Sequence, residues 1–467
     1  MDALETDYLV IGAGASSMAF VDALIDVDRE ADVVIVDRRH APGGHWNDAY
    51  PFVRLHQPAA CYGVNSRPLG DDRIDADGFN AGLYQQAGPT QICDYYRQVM
   101  DESLLASGQV RFFPMSNYLG LDQDRVAFVA SLTGVETEVS VRRAVVDARY
   151  LEPTIPSRHR RSFAVDTDVR CIPVNDLADV REPATGYTVI GGGKTGSDAC
   201  SWLLQNGVDP DDIRWIRARD PWMWNRVQVQ PLDLVTDTVD GFARGVEAAA
   251  EAADITELFE RLESCGQLLR LDPGVAPTMY HAATITAAEL DALRQIERVV
   301  RLGHVERVGA TDIQLEEGTI TTDADQLYVD CSAAGLGKAP ARPIFEPGRI
   351  TLQCISTVFP TFNAAMIGYL EGSRADDATA KSRLSPTTRY PDRADDWIPN
   401  ERGQLEALRL WNEQPDVAAW LEASRLNVAR GMFAKASEPR MGEALTRLLT
   451  YSESATTNLE RLSTAAA

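Results

Sequence analysis

Three patterns of apolar and polar positions divide the chain. Near the N-terminus a short apolar run, Tyr8-Leu-Val-Ile11, ends in glycine. Apolar residues then recur at helical spacing from Ala15 to Val27, and Asp32-Val-Val-Ile-Val-Asp37 is a second unbroken apolar run. Strand, glycine turn, helix and strand in that order predict a βαβ unit. From 108 to 150 the pattern alternates, as in Val110-Arg-Phe-Phe and Val139-Ser-Val-Arg-Arg-Ala-Val-Val, which predicts a β-meander set into an α/β domain. Residues 151–183 are rich in Pro and Arg, lack a period and read as a connector.

A second strand–turn–helix begins at Tyr187-Thr-Val-Ile-Gly191. Its helix runs from Thr195 to Asn206, is stopped by Gly207, and is followed by a strand over Ile213–Arg217. The pattern over 240–300 is helical and predicts a cap over the active site. Strands return over 299–330, and 400–460 is helical again. The predicted class is therefore α/β, with two Rossmann-like dinucleotide-binding domains, the second inserted in a discontinuous first. The first covers 1–183 and 326–395, the second 184–325 with its helical insertion, and a C-terminal helical segment covers 396–467.

Size and composition narrow the class. The 467 residues suit two domains rather than one core. A formal net charge of −24 argues against nucleic acid or an anionic membrane as partner, since both would repel it. No stretch approaches the ~20 apolar residues of a membrane span, and the acidic start (Asp2, Glu5, Asp7) is unlike a signal peptide, so a cytoplasmic protein is expected. The seven cysteines include no Cys-x-x-Cys pair, which excludes a redox disulfide between sequence neighbours and leaves no metal site to expect. Only four lysines occur (Lys194, Lys338, Lys381, Lys435), so 41 of the 45 basic residues are arginine.

The chemistry is carried by two glycine turns. In Gly12-Ala-Gly14-Ala15-Ser16-Ser17 the first glycine permits the tight turn. The second lets the backbone approach a pyrophosphate seated on the helix N-terminus, and Ser17 is small enough for the third position. Asp37, twenty residues after Ser17 with Arg38 beside it, stands where a carboxylate accepts bonds from ribose hydroxyls, which marks an FAD site. Gly191-Gly-Gly193-Lys194-Thr195-Gly196 has all three glycines. Its following strand ends not in an acid but in Arg217 and Arg219, which suit the 2′-phosphate of NADPH, while Asp220 keeps NADH open.

Beyond Asp37 comes Pro42-Gly43-Gly44-His45-Trp46, then Tyr50-Pro51 and Tyr62. This stretch resembles the flavin-containing and Baeyer–Villiger monooxygenases, members of the two-dinucleotide flavoprotein superfamily. The resemblance implies that Gly44, His45 and Trp46 lie along the flavin, and that Tyr328-Val-Asp330-Cys-Ser-Ala-Ala-Gly335 returns the chain to the FAD domain. It also implies that the helix starting near Pro360 and Asn363 points its N-terminus at the flavin. Two departures stand out. The Phe-x-Gly-x-x-x-His fingerprint is replaced by Phe163–Asn175, and His56 occupies the place of the Baeyer–Villiger Asp.

Flavin supplies the hard chemistry, so few catalytic groups are needed. Arg54, His56 and Asn65 are the candidates, with His56 as a proton shuttle near neutral pH and Arg54 as a charge holder. Trp215, Trp222 and Trp224 are expected to pack beneath the second domain, and His281 is a further residue that could reach the site from the insertion. The sequence thus predicts an NADPH-reduced, FAD-dependent monooxygenase of a small organic substrate with O2 as co-substrate. The alternatives are a flavoprotein reductase or dehydrogenase without oxygen insertion, and a non-catalytic nucleotide-binding protein on the same scaffold.

Overall fold

The apolar runs become two mostly parallel sheets in the computed structural model, which describes residues 4–122, 125–323, 325–336, 339–355 and 359–466. Lys338 lies outside the described residues. In the first sheet, Leu4–Ile11 is flanked by Val33–Val36 on one side and Glu136–Asp147 on the other, both parallel to it. Val110–Phe113 extends the sheet beyond Val33–Val36, and Arg349–Thr351 beyond Glu136–Asp147. Tyr8, Leu9 and Val10 are wholly buried, as a parallel strand covered on both faces requires. Helix Ala15–Val27 covers one face, and helix Pro360–Ser373 packs against it. The meander is Ser116–Asp122, Arg125–Ala130 and the first half of Glu136–Asp147. Val110–Phe113, expected in the meander, is instead an edge strand of the parallel sheet.

The second sheet runs Arg298–Val300, Ile213–Ile216, Gly186–Ile190, Gln326–Asp330, Cys171–Pro173, all parallel. Two expectations change here. Gln326–Asp330 does not return the chain to the first sheet; it is buried at every position and pairs with Gly186–Ile190. The chain rejoins the first sheet only at Arg349–Thr351. Cys171–Pro173, expected in the connector, closes the edge of the second sheet.

The segment from 240 to 300 is only partly helical. Val235–Glu251, Ile255–Ser264 and Ala287–Leu293 are helices. Leu268–Arg270 and Met279–Ile285 instead pair with Pro221–Asn225 in a three-stranded sheet. The C-terminal helices do not stand apart: Leu405 of Trp397–Asn412 and Ala455 and Leu459 of Pro439–Ala466 share a core with Val246 and Ala249 of Val235–Glu251. Among the described residues no helix is long and apolar enough to cross a membrane.

Candidate functional site

The first glycine turn is built by backbone contacts. Helix Ala15–Val27 starts at Gly14 with no side-chain cap and no acid in its first turn, which leaves its N–H groups for an anion. Ala15 and Ser16 are half-buried beside this turn, and Ser17 turns inward, its Oγ donating to Gly14 O at 2.8 Å. Asp37 sits at the end of its strand, where its carboxylate accepts from Ala13 N and Arg39 N, both at 2.6 Å. Arg38 is exposed and ion-paired to Glu152. Gly43 N donates to Ala13 O at 2.8 Å, and a Cβ on Gly44 would lie 2.9 Å from Gly14 Cα. The Gly-Gly-His-Trp turn therefore rests directly on the first glycine turn, and only glycine allows that approach. Trp46 follows, buried, its Nε1 donating to Tyr62 Oη at 2.9 Å with the rings edge to face.

The second turn has the same plan. Helix Lys194–Gln205 starts at Gly193, also uncapped and without an acid in its first turn. A Cβ on Gly193 would meet nothing within 4 Å, while one on Gly196 would lie 2.1 Å from Gly191 O. Gly196 is thus required by the fold itself, and the space at Gly193 is left for something else.

Lys194 does not reach into that space. Its Nζ donates to Asp198 and, at 2.8 Å, to Glu289; Glu289 also accepts from Arg226 at 2.8 Å, and Tyr50 Oη donates to Asp198 at 2.7 Å. Burial raises the Glu289 carboxyl, but Lys194 and Arg226 outweigh it and hold the group below its ordinary range. Burial and the Asp198 carboxylate push the Tyr50 phenol well up, so it remains a donor. Sequence reasoning missed this network because Arg226 and Glu289 stand in no motif.

Beside the second turn lies a cleft of ≈560 Å³, walled on its other side by the stretch that follows the first. Its walls include His45, Trp46, Tyr50, Arg54, His56, Gln57 and Tyr62 from the first unit. Gly191–Thr195, Arg219 and His281 face them from the second. The N-terminus of helix Pro360–Ser373 opens on the cleft through Phe359 and Pro360. Asp392 links two of these residues, accepting from Arg219 at 3.1 Å and lying 2.9 Å from His281 Nε2.

Several expected residues lie elsewhere. Asn65 is not on the cleft; its Oδ1 accepts from Ser424 at 2.8 Å. Asn363 is buried one turn inside its helix, near Ile355 N. Arg217 is 4% exposed, stacked over Trp215 at 4.6 Å and paired with Asp220 at 3.2 Å, so only Arg219 of the two reaches the cleft. Trp215 and Trp222 are buried as expected, and Trp224 is half-buried. His56 lines the cleft and is exposed to it. The surrounding protein, with Lys194 and Arg226, depresses its imidazole to about 3. That shift favours the neutral imidazole on the cleft wall. Burial and Arg39 likewise lower His45 to about 4.

Two mostly parallel sheets, each with a glycine turn leading into an uncapped helix, and a cleft walled by both units define the class: an α/β protein with two Rossmann-like units. No protein-family model matches the chain. It is 42% identical over 446 residues, 94% of its own length and 81% of theirs, to uncharacterized protein Rv2000 of Mycobacterium tuberculosis and uncharacterized protein Mb2023 of Mycobacterium bovis. The chain belongs to the family of these mycobacterial proteins. Among solved structures it is similar to cyclohexanone monooxygenase from Rhodococcus sp. Phi1 bound to NADP+, with TM-score 0.49 and 14% identity over 80% of this chain and 84% of that one. It is also similar to the bacillithiol disulfide reductase of Staphylococcus aureus, with TM-score 0.48 and 10% identity over 80% of this chain and 98% of that one.

Proposed function

We propose that the chain is an FAD-dependent oxidoreductase reduced by NADPH, and that it acts as a monooxygenase on an organic substrate. The observation that carries this reading is one cleft walled by the second glycine turn, Gly191–Thr195, and by His45, Trp46 and Tyr50, which follow the Gly43-Gly44 turn packed on the first, each glycine turn leading into an uncapped helix. A flavin in such a cleft supplies two-electron transfer from nicotinamide and, once reduced, reactivity toward oxygen.

The residues present fit two dinucleotides. Gly14 and the N–H groups after it would receive the FAD pyrophosphate, with Asp37 facing the ribose. Gly44 and Trp46 carry the path from that turn to the cleft, where Tyr62 fixes the indole. The open space at Gly193 suits the second pyrophosphate, and Arg219 is the cation at the cleft for a 2′-phosphate. The Tyr50–Asp198–Lys194–Glu289–Arg226 network ties the second turn to the first unit and keeps its charges neutralised within the protein. Neutral His56 can donate or accept a hydrogen bond at the reacting centre, and Arg54 supplies a fixed positive charge.

A rival reading, a reductase without oxygen insertion, is favoured by the missing Phe-x-Gly-x-x-x-His fingerprint. The described cysteines are all free thiols, so neither reading uses a disulfide among them. Turnover under heavy-isotope oxygen gas separates the two. Label in the product is expected, whereas undiminished turnover under argon would establish the reductase.

A further inference from the structure

A second cavity, ≈1030 Å³, lies between helix Val235–Glu251 and the C-terminal helices. Phe242, Leu405, Leu408, Trp411, Leu421 and Leu445 line it. Protein interiors are packed like organic crystals, so a void of this size is not a packing defect; it stands at the upper end of small-molecule pockets, ~300–1,000 Å³. Leu449 and Phe433, 88% and 59% exposed, also line it and give an apolar way in from solvent.

Two features say what belongs there. Arg402 lines the cavity half-buried, with Arg409, Glu406, Glu422 and Glu453 also on its walls, and forms no ion pair or hydrogen bond among the described residues, whereas Arg409 is paired with Glu413. Phe359 lines this cavity and the cleft alike, and its ring stacks on Trp224 at 6.1 Å. Phe359 is thus a wall residue common to the two cavities.

We propose that this chamber binds a long-chain carboxylic acid, its hydrocarbon body among the apolar side chains and its carboxylate against Arg402. Phe359, common to both walls, is the point at which the chamber supplies the cleft with substrate. The second statement rests on the oxidoreductase reading; the binding does not.

The test titrates the purified full chain with cis-parinaric acid, read by fluorescence, without NADPH. Saturable, stoichiometric binding is expected. Competing n-alkanoic acids should weaken by about fourfold for each methylene removed. Arg402→Gln should weaken the acid by about tenfold and leave its methyl ester unchanged. Ala418→Trp, and independently Ala429→Trp, fill the chamber and should abolish binding while the far-ultraviolet spectrum is kept.

No saturable binding, or binding indifferent to all three substitutions, overturns the proposal. So does a dimer broken by Leu449→Glu that binds no acid in either state, which would make the chamber a subunit interface. Acid binding in a chain whose flavin NADPH cannot reduce would leave the binding site standing and remove only its role as a substrate store.

Discussion

At the scale of single residues, the molecule buries much of its charge in pairs, and Glu401 is a residue it buries without one. Lys194 is legible in the sequence as a rare lysine in a glycine turn, but its partner Glu289 lies 95 residues away, and no local pattern announces a contact at that distance. His56 is a similar case. Its position on the cleft is inferred from spacing, while its protonation depends on burial and on Lys194 and Arg226, which only the folded chain brings near. Glu401 is 8% exposed, its Oε1 has no hydrogen-bond partner, and burial raises it to about 8. The folded chain keeps a proton that the unfolded chain releases near pH 4.3, so this residue's contribution falls as pH rises from there to about 8. Glu401→Gln should therefore be more stable than the parent at pH 8, by on the order of 4 kcal/mol, and little different at pH 4. Urea melts of both proteins at the two pH values check this; equal stability at pH 8 would show that Glu401 is not buried as described.

At the scale of elements, the βαβ units were the most legible part. Helix Ala15–Val27 spans the residues its pattern marked, because apolar spacing and a glycine start are both local signals. Partners of parallel strands were not legible. Gln326–Asp330 is apolar enough to be central in either sheet, and its sequence says that it is buried but not beside which strand. The same holds for Cys171–Pro173, too short to show a pattern at all. The two turn glycines at Gly193 and Gly196 separate ligand from fold. Gly196→Ala places a methyl group 2.1 Å from Gly191 O and should destabilise the protein by about 1–3 kcal/mol. Gly193→Ala meets no protein atom within 4 Å, so stability should hold within about 0.5 kcal/mol while NADPH binding weakens. Thermal melts with an NADPH titration check both; Gly193→Ala binding NADPH as tightly as the parent would move the nucleotide off this turn.

At the scale of the whole molecule, residues on and beside the cleft hold the two units together. Tyr50 and Phe52 leave the first unit and pack into the core of the second, where Phe52 stacks on Trp202 at 4.7 Å and Tyr50 bonds to Asp198. Docking and site thus meet at Tyr50, as expected where a ligand binds between domains. Phe52→Ala should weaken that docking by about 1–3 kcal/mol and split a single unfolding transition into two. Calorimetry checks it, and one unchanged transition would mean that the units are joined elsewhere.

The central claim, a flavin between two nucleotide turns, is tested most directly by the visible spectrum of the purified chain after incubation with FAD. One tightly held flavin per chain is predicted, bleached by NADPH under argon and restored on admitting air. A chain that retains no flavin, or one whose flavin neither NADPH nor NADH can bleach, would contradict it.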